Sequence, residues 1–176
     1  AEVLHQRVTL STGVELDVWT AGDAANPPIL FLHGFPESHR TWRHQMAALS
    51  DRFFCIAPDQ RGYARSQKLP EVKDYRIGNL VADVFALADA FGADRFTLVG
   101  HDWGGAIAWT FAMTHPEKVD RLVILNLPHP NGLMRELASN LEQQKNSQYA
   151  RDFQKPEAAK FVKPEMLVTW VKEAEA

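Results

Sequence analysis

The chain is poor in the residues that would place it in several large classes. It has one cysteine among 176 residues, Cys55, which excludes a disulfide framework and a cysteine-built zinc site within this sequence. Cys55 stands in the apolar run Phe53-Phe54-Cys55-Ile56-Ala57 and reads as a buried strand residue in a reducing compartment. Nineteen basic against twenty-two acidic residues leave a net charge of −3. With no basic run and no basic patch interleaved with aromatics, nothing points to nucleic acid. No apolar stretch reaches the ~18 residues of a membrane span, and the first residues lack the basic-then-apolar order of a secretory signal. The expected location is therefore cytoplasmic. No cluster of His, Cys, Asp and Glu has metal-ligand spacing, so no metal is expected.

What is present is a soluble composition, 45% hydrophobic and 23% charged, with a length sufficient for one sizeable core. Four apolar runs, Ile29 to Leu32, Phe53 to Ala57, Phe96 to Val99 and Leu122 to Leu125, lack polar alternation and have the length of strands buried on both faces. Helical spacing separates them. Leu80, Val84, Leu87 and Phe91 fall on one helical face between Asn79, the expected N-cap, and Gly92, the expected stop. Further helices are expected from Ser38 to Leu49 and from Trp103 to about His115, where Pro116 intervenes. Val3 to Thr9 and Leu16 to Thr20 read as an antiparallel pair turning at Thr12-Gly13. Strand and helix in alternation predict a doubly wound, mostly parallel sheet, which binds ligands at the carboxyl ends of its strands. After Pro128-His129-Pro130 strand-like runs cease. Polar helical segments follow around Leu133 to Asn146 and Pro156 to Glu173. We expect residues 1–127 to form the N-terminal part of an α/β core and residues 128–176 the first part of a helical lid.

The densest signal is Phe96-Thr97-Leu98-Val99-Gly100-His101-Asp102-Trp103-Gly104-Gly105. A β-rich run stops at a glycine and a helical pattern begins within three residues, so Asp102 sits on a sharp strand-to-helix turn flanked by Gly100 and Gly104. Such an elbow lifts its central side chain into a cleft. A carboxylate in that place needs no base to activate it and suits attack on a saturated carbon, where serine or cysteine would suit acyl transfer. The competing reading is that Asp102 merely caps the helix starting near Trp103.

Four motifs extend the pattern: His33-Gly34-Phe35-Pro36-Glu37-Ser38, Asp59-Gln60-Arg61-Gly62-Tyr63, the elbow itself, and Asn126-Leu127-Pro128-His129-Pro130. In this combination the chain resembles the α/β-hydrolase fold and, within it, the soluble epoxide hydrolases, over nearly its whole length. Ala64 departs from the pattern, which usually has a second glycine there. The resemblance implies that the Phe35 and Trp103 backbone amides form an oxyanion hole, with pocket packing as the plainer role of the two side chains. His33 reads as a polar anchor of the loop rather than a catalytic group, Gly34 and Pro36 as structural, and Asp59 and Arg61 as a loop-fixing ion pair rather than a substrate site. His101 and His129 read as structural. Tyr149, in Tyr149-Ala150-Arg151-Asp152-Phe153, is similar to the segment carrying one of two lid tyrosines that hydrogen-bond an epoxide oxygen; the plainer alternative is a tyrosine covering a seam.

The resemblance also implies parts not found in this sequence: a histidine base after a late strand, its carboxylate partner, and a second lid tyrosine. We therefore expect a complementary C-terminal polypeptide to accompany this chain, and an exposed apolar edge at the sixth strand without it. The expected function is opening of a hydrophobic epoxide to a vicinal diol through an ester on Asp102, with this chain by itself unable to complete turnover. A haloalkane dehalogenase using the same aspartate, or a non-catalytic binding or assembly chain of the same fold, are the alternatives.

Overall fold

The computed structural model describes residues 2–161 and 163–174. The chain divides into two compact units, residues 1–127 and 128–176. The first is a six-stranded sheet with helices. Its elements are β1 (Val3–Thr9), β2 (Glu15–Ala21), β3 (Pro28–Leu32), α1 (Arg43–Leu49) preceded by a 3-10 turn at His39–Trp42, β4 (Phe54–Pro58), α2 (Ile77–Ala90), β5 (Phe96–His101), α3 (Trp103–Thr114) and β6 (Val119–Leu125). The strands lie in the order β1-β2-β4-β3-β5-β6. β1 and β2 pair antiparallel, β2 joins β4 antiparallel, and β4, β3, β5 and β6 run parallel.

Why these segments became strands follows from burial. All residues of β4 are buried, as are the last four of β3. A strand covered on both faces has no polar side to alternate with its apolar one. One core layer sets Leu30, Leu32, Ile56, Leu98, Leu87 and Phe111 together; a second, on the opposite face, gathers Phe31, Trp42, Met46, Cys55 and Val99. Leu30, Ile56, Leu98, Phe111 and Leu87 are at most 1% exposed, and each such side chain contributes roughly 1.5–3 kcal/mol by leaving water.

Three expectations need correction. β6 is not buried on both faces: Val123 and Leu125 are 45% and 43% exposed, and among the described residues β6 pairs only with β5. Asn79 does not cap α2, which starts two residues earlier at Ile77; its side-chain amide instead donates to the carbonyls of Lys73 and Asp74 in the preceding 3-10 turn. The pair Asp59 and Arg61 does not exist. Arg61 reaches α2 and binds Asp83 through two hydrogen bonds of 2.8 Å, with a third to the carbonyl of Asp74, whereas Asp59 accepts from both the backbone and the ring of His39.

The second unit is helical: α4 (Pro130–Ser139), α5 (Leu141–Asn146), α6 (Gln148–Asp152), α7 (Ala158–Phe161) and α8 (Pro164–Ala174). The helical stretch expected around Leu133 to Asn146 is two helices, divided at Asn140. There the backbone turns extended (φ −111°, ψ 108°) and the side chain caps α5 by accepting from Glu142 and Gln143. The expected helix from Pro156 to Glu173 is likewise divided, and residue 162 at its division lies outside the described residues. Among the described residues no helix is long and apolar enough to cross a membrane.

Candidate active site

Three segments meet at the carboxyl ends of β3, β4 and β5. The elbow between β5 and α3 turns at Asp102, with φ 53° and ψ −121°. A non-glycine residue held there costs on the order of 1–3 kcal/mol, and persists only where its surroundings enforce it. The enforcement comes from close backbone approach. A Cβ on Gly100 would stand 2.4 Å from the Gly104 carbonyl oxygen, and one on Gly104 2.2 Å from that of Leu32. Both positions must be bare for α3 to start hard against β3 and β5.

The Asp102 carboxylate does not cap α3: it makes no side-chain hydrogen bond to the helix start. Instead Oδ2 accepts from the backbone N–H of Phe35, 3.0 Å away on the loop after β3. Gly34 brings that loop so near that a Cβ on it would meet the Asp102 Cβ at 2.5 Å. The side chain is half-buried, so it keeps a face toward solvent. Phe35, which donates that bond, and Trp103, the next residue in the chain, are 40% and 54% exposed. The Trp103 amide opens α3 and so belongs to the first-turn N–H groups that have no carbonyl four residues back.

Two networks hold the loop. His33 is wholly buried; Nδ1 lies 2.9 Å from the Gly34 carbonyl oxygen and Nε2 accepts from the Gln60 N–H at 3.0 Å. Burial pushes its pKa below the ordinary value, against smaller opposing effects of that carbonyl and nearby carboxylates. An accepting Nε2 demands the neutral ring in any case. On the other side, Glu37 accepts from the Gly34 N–H at 3.0 Å and from His101 Nδ1 at 3.2 Å. Burial works against ionisation of Glu37, but the hydrogen bonds from His101 and Gly34 outweigh it and its pKa falls below the usual value. His101 moves the other way: its bond to Glu37 raises it, partly offset by desolvation. The Phe35–Pro36 peptide bond within this loop is cis.

Gly100, Gly104, His33, Gly34, Phe35, Pro36, Asp102 and Trp103 thus belong to one neighbourhood. Tyr149 lies in the second unit, on α6, 61% exposed with its ring edge-on to Phe153. His129 caps α4 there by accepting from the Asn131 N–H. The linkage of Glu37 to both Gly34 and His101 was missed in the sequence, where Glu37 was only a motif letter; a glutamate three residues after a tight glycine was the available signal. Among the described residues no three His, Cys, Asp or Glu side chains converge as metal ligands.

A family model described as the α/β hydrolase fold matches residues 27–168. The chain belongs to the α/β-hydrolase fold family. Within it, the chain is similar to epoxide hydrolase 3 of Xenopus tropicalis, 38% identical over 145 residues that make up 82% of this chain and 40% of the relative. Among solved α/β-hydrolase structures, it superposes with TM-score 0.84 on an epoxide hydrolase from metagenomes of hot environments, 50% identical, covering 89% of this chain and 53% of that one. An epoxide hydrolase from Bacillus megaterium in complex with an inhibitor gives TM-score 0.85 at 41% identity, covering 90% and 55%. The chain therefore spans between two fifths and just over half the length of these relatives.

Proposed function

We propose that Asp102 is the nucleophile of an epoxide hydrolase. One Asp102 carboxylate oxygen attacks a ring carbon, the carbon–oxygen bond of the epoxide breaks, and the departing oxygen takes a proton from a phenol, for which we assign Tyr149. The product is an ester on Asp102. Water then gives a proton to a base and adds to the ester carbonyl, the developing oxyanion accepts from the Phe35 and Trp103 amides, collapse releases a vicinal diol with the carboxylate restored, and the proton held by the base returns through solvent to the Tyr149 phenolate. None of these steps requires a metal or organic cofactor.

The observation that carries this reading is the hydrogen bond from Phe35 N–H to Asp102. It supports a carboxylate spared from helix capping and already beside one donor suited to an oxyanion. The names of the relatives support an epoxide as substrate. Neither His33 nor His101 is assigned as the base for the water, because both His33 nitrogens are engaged and His101 is tied to Glu37. We assign that base to a complementary C-terminal polypeptide, supported by the fraction of its relatives that this chain spans. A haloalkane would form the same ester while releasing halide. The test offers the chain an aryl epoxide and a primary chloroalkane in parallel and follows epoxide consumption, diol, chloride and protein mass. Epoxide loss with a matching mass gain supports the proposal. Chloride release without epoxide consumption would reassign the site to dehalogenation.

A further inference from the structure

The turn after β4 is fastened more firmly than a connection requires. Gly62 and Ala64 have φ values of 86° and 44°, in the left-handed region, and Ala64 carries a side chain there. Such an outlier persists where its surroundings leave no alternative. Here the Tyr63 N–H donates to Gln60 O, Ser66 N–H to Tyr63 O, Gly62 N–H to Gln67 O, and the Arg7 guanidinium to Arg65 O, at 2.9 to 3.0 Å. From behind, Tyr75 leans on Gly62 so closely that a Cβ would meet its ring at 2.6 Å. What this clamped turn presents is the ring of Tyr63, edge-on to the His33 imidazole with centroids 4.9 Å apart and planes at 77°.

His33 is the residue whose two nitrogens join Gly34 O to Gln60 N–H, and Gly34 precedes the amide that touches Asp102. We propose that Tyr63 is a positioning residue for the Asp102 site: its ring holds the His33 imidazole against Gly34, and thereby holds the Phe35 amide on the Asp102 carboxylate. Edge-to-face contact favours a particular ring orientation beyond the area it buries, a preference an aliphatic neighbour lacks. Burial, and then the negative charges of Asp102 and Glu37, push the Tyr63 phenol up to about 12. The hydroxyl thus remains neutral, and the contact with His33 is made by the ring.

The kinetic consequence rests on the nucleophile reading of Asp102; the geometric one does not. The test uses the full 176-residue chain with Tyr63→Phe and Tyr63→Leu, recording the Phe35 amide resonance and the His33 imidazole nitrogen shifts by NMR, and the rate of ester formation on Asp102 with an aryl epoxide. Tyr63→Phe should leave both signals in place and the rate within about twofold. Tyr63→Leu should displace the Phe35 and His33 signals and slow ester formation on the order of tenfold, as a small misplacement of reacting groups does. Should Tyr63→Leu not fold, Tyr63→Met, nearer in volume, carries the same comparison. A folded Leu or Met variant with unchanged Phe35 and His33 signals overturns the proposal, as does a Phe variant that loses them. If the unaltered chain forms no ester, the function proposed above fails while the NMR comparison still decides the role of Tyr63.

Discussion

Gly104→Ala tests the close approach on which the elbow depends. The added Cβ would lie 2.2 Å from the Leu32 carbonyl oxygen and 2.6 Å from that of His33, where ordinary contact begins at 3.4 Å. Leu32 belongs to β3, paired on both sides, so α3 must retreat by roughly 1 Å or the chain after β3 must bend. Overpacking of this kind costs about 1–3 kcal/mol and sometimes more; alanine returns up to ~1 kcal/mol as the better helix former. With rigid backbone on both sides the upper end applies, and we expect a net loss of about 2–3 kcal/mol. For an urea slope of ~2–3 kcal/mol/M the unfolding midpoint then falls by about 1 M. Gly78→Ala is the matched control: its Cβ would meet nothing within 4 Å, and the same helix-propensity gain should leave the midpoint unchanged or slightly raised. If Gly104→Ala unfolds within about 0.2 M of the parent, the contact between α3 and β3 is not the constraint described.

Three further outcomes follow from the same geometry. Asp83→Ala leaves the buried Arg61 guanidinium without its bidentate partner and should destabilise the fold by about 3–5 kcal/mol in denaturant titration; a loss under ~1 kcal/mol would mean that water reaches Arg61. The Glu37–His101 bond should give a pH-dependent contribution that Glu37→Gln removes. His101 is raised from 6.5, so its share is full below that value and lost as pH rises through the folded pKa; Glu37 is lowered from 4.5, so its share is full above that value and lost as pH falls through the folded pKa. The difference in stability between parent and variant should therefore be greatest between about pH 4.5 and 6.5, and a difference flat from pH 4 to 9 would refute the pairing. Finally, burial pushes the Cys55 thiol up to about 11; thiol reagents should modify it readily only in the denatured chain, and rapid labelling of folded protein at pH 8 would contradict its place in β4.

Much of the fold was legible because buried parallel strands leave an uninterrupted apolar run. β3, β4 and β5 fall on the runs at Ile29, Phe53 and Phe96 with boundaries moved by a residue or two. β6 shows the limit of that signal: its run looks like the others, but its exposed Val123 and Leu125 alternate with the more buried Leu122 and Ile124 on one face, and whether a face is covered is not encoded in the local pattern. The partners of Arg61 and Asp59 were invisible for a related reason. Residues two apart looked like a pair, whereas the actual partners lie 22 positions onward on α2 and 20 positions back at His39. At the site, the elbow and the oxyanion loop could be read from glycine spacing because each bare position answers a backbone approach. The side-chain links that steady them, Glu37 to His101 and Tyr63 to His33, join segments far apart in sequence and emerge only in three dimensions.

The most direct measurement locates the bond that the account requires. The chain is incubated with an aryl epoxide, digested with trypsin, and the peptide Phe96–Lys118, which contains Asp102 as its one aspartate, is sequenced by mass spectrometry. A mass gain equal to the whole epoxide is expected on Asp102, and none in Asp102→Asn. Modification confined to other side chains, or equal labelling of the Asn variant, would contradict it.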